Sequence, residues 1–200
     1  MNPFAITKSR SRLRVAKKAV EEFAVCQRYD AFVDLWYTFL TAAKNIYTVL
    51  EQGAKDTPQS SQWFGAKKNE RREDALLQYL FQARNDDEHG LSPVTRHQPG
   101  FTVIGGMGGS SAVRLNGTFG VGKTIEVASL DGQPVHVLQM MPHAQLVTVY
   151  GRDKRAYPPP TEHKGKPLPS NLPFPVATLA VAYLESLIAE AEALAQARSE

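Results

Sequence analysis

Arg84-Asn85-Asp86-Asp87-Glu88-His89 is the stretch of this 200-residue chain whose residue types could act on a phosphate. Histidine titrates near neutral pH, so His89 can serve as general base or acid. Arg84 carries forked N–H donors that would steady charge developing on a phosphate. Asn85 can orient either side chain through a neutral hydrogen bond. Spacing raises a geometric problem, because five residues of regular helix turn through about 500° and leave Arg84 and His89 about 140° apart. The pair acts together only if the helix loosens at its end, which Gly90 would permit, or if a second copy of the chain contributes. Asp86, Asp87 and Glu88 lie inside the stretch and would repel a phosphate backbone unless they turn away. The structural alternative has Arg84 paired with those acids and His89 capping the helix C-terminus, where a cation suits the dipole.

A second stretch matches a better-known pattern. Gly117-Thr118-Phe119-Gly120-Val121-Gly122-Lys123-Thr124 fits the phosphate-loop pattern GxxxxGK[ST] at every specified position. Such a loop needs an entering strand and a helix that begins at the Lys-Thr end, with amides and dipole aimed at the phosphates. Residues 113–115 could supply the strand, but residues 124–132 read as strand and turn. A glycine-rich hairpin with a solvent-facing lysine is the expectation, and nucleotide binding by Gly122, Lys123 and Thr124 is a distant alternative. Lys67, Lys68, Arg71 and Arg72 form another group, spaced i and i+4 on one helical stretch. With the basic N-terminus they could follow an RNA backbone. Equally, they could form a solvated face balanced by Glu70, Glu73 and Asp74.

The elements that must position these residues follow from hydrophobic spacing. Leu13, Ala16, Val20, Phe23 and Ala24 predict an amphipathic helix over about residues 9–27. Asp30 is the expected N-cap of a second helix, striped by Phe32, Leu35, Trp36, Phe39, Leu40, Ala43, Ile46, Tyr47 and Leu50, with Gly53 as its stop. After a polar connection containing Pro58, a third helical stretch runs to His89, with a break near Gly65 and Leu76, Leu77, Leu80, Phe81 and Ala83 facing inward. Gly90 and Pro93 end it. Short β-prone runs then fill residues 101–104, 112–115, 124–128, 135–140 and 146–150, with Asp131-Gly132 as a hairpin signal. Residues 157–175 hold seven of the thirteen prolines and read as an extended connection. The last helix, residues 176–197, carries Leu179, Tyr183, Leu187, Ile188, Ala191 and Leu194 on one side and must pack on the first three.

The expected fold is therefore α+β: mainly a bundle of four main helices, with a small antiparallel β-meander inserted between the third and last helices. Residues 1–97 form the first part of the bundle, 98–157 the β insertion, 158–175 the Pro-rich connection, and 176–200 the returning helix, all in one integrated domain.

An arginine followed by a polar residue and, five positions later, a histidine at the end of a bundle helix resembles the signature of the HEPN family of helical nucleases and nucleotide-binding domains. The wider stretch Trp63-Phe64 through Tyr79-Leu80, Ala83-Arg84-Asn85 and Glu88-His89-Gly90 is similar to uncharacterised bacterial HEPN-like proteins. The resemblance covers residues 1–97 and the last helix. It implies a homodimer with two motifs facing each other, and metal-independent endoribonuclease action of toxin or defence type. In that chemistry His89 would move the 2′-hydroxyl proton, and Arg84 would stabilise the scissile phosphate. It also implies RNA as substrate and an antitoxin or other protein as partner. A noncatalytic HEPN-like binding module is the runner-up.

Composition narrows the rest. Residues 1–97 carry 15 Lys and Arg against 12 acids and residues 98–200 carry 8 against 8, so the whole +3 excess lies in the helical half. One cysteine excludes a disulfide framework and a paired-cysteine zinc site. No metal or other cofactor is expected; His136, His143 and His163 lack ligand spacing and read as incidental. Lys8, Arg10, Arg12, Arg14, Lys17 and Lys18 read as the basic start of a folded helix rather than a transit peptide. No secretory signal or run of about 18 apolar residues is apparent, so no membrane partner is expected. A buried, unreactive Cys26 fits a cytoplasmic protein.

Overall fold

A computed structural model describes residues 1–106, 113–117, 125–130 and 135–196. Among them are five helices: α1 (Pro3–Ala24), α2 (Tyr29–Ala54), α3 (Pro58–Glu73), α4 (Ala75–His89) and α5 (Pro173–Gln196). The chain divides into two compact units, Met1–His97 with Ala144–Glu200, and Gln98–His143. The α+β, mainly helical architecture expected from the sequence is present, with one helix more than predicted.

The extra helix comes from the division of the third stretch. Its break falls at Asp74, and Gly65 lies inside α3. Asp74 is extended (φ −80°, ψ 122°) and its carboxylate accepts from the Leu77 N–H at 2.9 Å, so it N-caps α4. A capping side chain thus outweighs the low helix propensity of a glycine. Two other boundaries shift for similar local reasons. α1 begins at Pro3, with Asn2 Oδ1 accepting from the Phe4 N–H at 2.9 Å and Pro3 suited to the first helical position. α2 begins at Tyr29 and runs through Gly53 to Ala54. Gly53 serves packing there: a Cβ on it would stand 2.3 Å from Ala5 Cβ, and its carbonyl accepts from the Asn2 N–H at 3.1 Å. The missing side chain lets the start of α1 lie against the end of α2.

The core of the helical unit is the stripe of α2, with Trp36, Phe39, Leu40, Ile46 and Leu50 all buried. Phe23 of α1 meets Phe32 and Trp36 edge-on, with centroids 5.4 and 5.8 Å apart. α5 packs on α1, α2 and α4. It is the one described helix long and apolar enough to cross a membrane, and half of its apolar window is buried in the helical unit. Ion pairs between helices add to this packing: Arg10 and Lys17 of α1 meet Glu192 and Glu185 of α5.

Residues 144–172 belong with the helices. β1 (Thr95–Gln98) pairs with β6 (His143–Leu146), and β7 (Val149–Tyr150) pairs with β8 (Ala156–Tyr157). β9 (Glu162–His163) pairs with β10 (Lys166–Pro167). The Tyr79 hydroxyl donates to the Val147 carbonyl at 2.8 Å, and Asp86 Oδ2 accepts from the Tyr150 N–H at 2.8 Å. The Pro-rich stretch, expected as a plain extended connection, instead folds into the β9–β10 hairpin and is anchored to the helices. His163 Nδ1 lies 3.0 Å from the Asp74 carboxylate, which also accepts from the Lys164 N–H at 2.7 Å, and Pro160 is buried. His163 is therefore no incidental histidine; it ties this segment to the start of α4.

In the second unit, β2 (Phe101–Gly106) pairs antiparallel with β5 (Val135–Met140), and β3 (Val113–Gly117) with β4 (Ile125–Ser129). Each strand of a meander would pair with the next one, whereas here the β3–β4 ladder is nested in sequence between β2 and β5. The register sets Phe101 opposite Met140 and Val103 opposite Leu138, cross-strand apolar pairs that favour this partnering. Asp131-Gly132 lies outside the described residues.

Candidate functional site

Arg84 and His89 lie on one continuous helix that stays regular to His89, so the motif does not loosen as its spacing seemed to require. Glu88 brings the two together instead. The Arg84 guanidinium forms an ion pair with Glu88 Oε2, one turn on, and His89 Nε2 lies 3.7 Å from the same oxygen. Arg84 is mostly buried, with its Nε lacking a hydrogen-bond partner, while His89 is about half exposed. One carboxylate oxygen of Glu88 therefore lies within reach of both a guanidinium and an imidazole.

Asn85 faces another neighbour. Its Oδ1 accepts from Lys44 Nζ of α2 at 3.0 Å. Of the acids inside the motif, Asp86 is occupied with the Tyr150 N–H. Asp87 is partly buried, and that burial, reinforced by the charge of Asp86, pushes its carboxyl above the usual range despite Arg84. Only Glu88 among the three acids forms an ion pair with Arg84.

The predicted basic group on α3 splits. Lys67 is nearly buried and bridges Glu70 (3.1 Å) and Glu190 of α5 (2.9 Å), whose carboxylate also accepts from Trp63 Nε1 at 3.0 Å. Lys68 pairs with Glu51 of α2 at 2.8 Å. Arg72 is exposed. Arg71 turns inward, its guanidinium 4.0 Å from the Phe81 ring centroid and 5.1 Å from that of Tyr47. Its Nε is buried without a hydrogen-bond partner, and burial lowers its proton affinity. Tyr47 gives it no counter-charge, since burial pushes that phenol up to about 12.

The Arg84–Glu88 pair is the structural alternative that the sequence offered; sequence reasoning missed Lys44 and Arg152, the latter in the turn that follows Tyr150. Lys44 interrupts the apolar stripe of α2 one position after Ala43, and that interruption was the available signal. Gly122, Lys123 and Thr124 lie outside the described residues; only Gly117 of that stretch is described, as the last residue of β3. Cys26 is half-buried, with its thiol 3.3 Å from the Arg28 carbonyl. Among the described residues, no group of three or more His, Cys, Asp or Glu side chains is placed to hold a metal ion.

Compared with known proteins, the chain matches no family model, and no curated protein or solved structure matches it.

Proposed function

We propose that this chain is an HEPN-like protein that acts on RNA in the cytoplasm, as a homodimer, with Arg84 and His89 handling the phosphodiester. The observation that carries this reading is the shared contact of Arg84 and His89 with one oxygen of Glu88. A group held between a guanidinium and an imidazole is in position to be replaced by a phosphate, whose charge the same guanidinium would then neutralise. His89, the more exposed of the two, takes the 2′-hydroxyl proton; the 2′ oxygen bonds to phosphorus, and the 5′ oxygen leaves and collects a proton. A second subunit brings a second copy of the motif opposite the first.

The test is cleavage of RNA by the purified chain in the presence of a chelator. Arg84→Ala and His89→Ala are each expected to lower the rate by about 10² or more. Cleavage that survives His89→Ala overturns the assignment, and a monomer in analytical ultracentrifugation overturns the dimer.

One observation favours a noncatalytic second reading. Asn85, the residue the motif would use to orient its histidine, instead accepts from Lys44 of α2. RNA that is bound but never cut, with affinity lost in Arg84→Ala, would support a binding module.

A further inference from the structure

Three cations from three separate segments converge beside the end of α4 without carboxylate partners. Lys44 of α2, Arg71 of α3 and Arg152 of the β7–β8 turn form no ion pair among the described residues. Lys44, Phe81, Asn85, Arg152, Asp153 and Tyr157 line a cleft of about 480 Å³. Arg71 flanks it through Phe81, whose ring lies 4.0 Å from the guanidinium and 5.8 Å from Lys44 Nζ. Asp153 is the one acid among those lining residues, and its Oδ1 accepts from the Arg155 N–H at 3.1 Å. Because an ammonium can only donate, Asn85 must turn its oxygen to Lys44, which leaves the amide NH2 free to donate. Burial, and then the positive charges of Arg84, Arg152 and Arg71, depress the proton affinity of Lys44.

Folding alone gives no reason to gather these groups. Like charges repel, and although the Phe81 and Tyr47 rings face the Arg71 guanidinium, its buried Nε is left without a hydrogen-bond partner. A ligand carrying two negative charges would resolve both. A carboxylate carries one charge, whereas a phosphomonoester carries nearly two at neutral pH and three acceptor oxygens. The cleft falls within the usual size of small-ligand sites, and Phe81 and Tyr157 offer apolar wall for an organic group.

We propose that the cleft lined by Lys44, Asn85 and Arg152, with Arg71 behind the Phe81 ring, binds a phosphomonoester, either as a free small molecule or as the terminal phosphate of an RNA. The site adjoins the Arg84–His89 pair but does not depend on it for its chemistry. Calorimetric titration of the full chain with inorganic phosphate and with a ribonucleoside 5′-monophosphate tests it, with roughly millimolar affinity or tighter expected. Arg152→Ala, in an exposed turn, should weaken binding several-fold, and Lys44→Gln about tenfold. Lys18→Gln, a basic residue elsewhere on α1, should leave it unchanged. No binding by the unaltered chain, or equal loss in all three variants, overturns the site. Stronger binding of an RNA with a 5′-phosphate than of the same RNA with a 5′-hydroxyl, lost in Arg152→Ala, identifies the terminal phosphate as the source; equal binding of the two RNAs with retained mononucleotide binding identifies the free molecule. Chelator-resistant RNA cleavage without phosphate binding removes this site and leaves the Arg84–His89 reading standing; phosphate binding without cleavage does the reverse.

Discussion

Two groups of basic side chains on adjacent helices meet opposite electrostatic fates. Lys67 and Lys68 of α3 project toward acids of other helices and are held by Glu190 and Glu51. Arg71, one turn further on, points toward Lys44 and Phe81 and forms no ion pair among the described residues. The first group joins helices, and its charge is neutralised inside the fold. The second group keeps its charge unspent. Basic residues counted along a sequence therefore say little about nucleic-acid binding until their acidic partners are known, because a neutralised cation has no counterions to release.

Several substitutions would break or sharpen this contrast. The largest expected effect lies at Asp74, whose carboxylate α4 and the His163 segment share. Asp74→Ala removes an N-cap together with the contacts to His163 and the Lys164 N–H, and should cost about 2–3 kcal/mol in denaturant unfolding. Burial alone would raise this carboxyl. The N–H bonds from Leu77 and Lys164 and the contact with His163 outweigh that effect and hold it below the ordinary value of 3.8. A depressed folded value means that its contribution is complete above the unfolded value and is lost as pH falls through the folded one. The stability difference between the native chain and Asp74→Ala should therefore persist at neutral pH and shrink in acid below about pH 4. A difference that grows in acid would contradict this assignment.

Next in size is Glu88→Gln. If Glu88 occupies the position of a phosphate, removing its charge should tighten RNA binding about tenfold in fluorescence anisotropy. Unchanged or weaker binding would mean that the Arg84–Glu88 pair is structural only. Lys67→Met and Arg71→Met make the contrast direct. Lys67→Met removes the cation that Glu70 and Glu190 share, leaving them to Lys164 and Trp63, and should destabilise the chain by about 1 kcal/mol, with phosphate affinity unchanged. Arg71→Met removes a partly buried charge that forms no ion pair among the described residues, and should leave stability unchanged or raise it by about 1 kcal/mol while phosphate binding falls. If Arg71→Met destabilises as Lys67→Met does, the two groups do not differ in the way described. The smallest effect belongs to Lys68→Ala, an exposed pair whose loss should stay within about 0.5 kcal/mol and leave RNA affinity untouched.

Much of the helical unit was legible in spacing alone. The α2 stripe from Phe32 to Leu50 carries the periodicity of a core helix, and most of its named residues are buried. Boundaries were less legible where a side chain did the work. Asp74 reads as one more acid in a charged stretch until its carboxylate is seen to cap α4 and hold His163. Gly53 reads as a stop until Ala5 is seen against it. The nested ladders were also hidden, because β-prone runs announce strands but not partners, and here β5 pairs with β2, not with its neighbour β4.

The residue types of the Arg84–His89 stretch were written in the sequence: an arginine, a histidine and three acids within six residues, on a helix ended by glycine. Amphipathic spacing likewise determined that residues 1–97 and the last apolar helix must share one core. Which charges remain unspent was decided only by the tertiary structure. Lys44, Arg71 and Arg152 are far apart in the chain, and they become neighbours because α2, α3 and the β7–β8 turn pack around Phe81. The same packing neutralised Lys67 by delivering Glu190 from α5. Electrostatic energy depends on distance and on the water excluded from between charges, and neither quantity exists until the helices have packed.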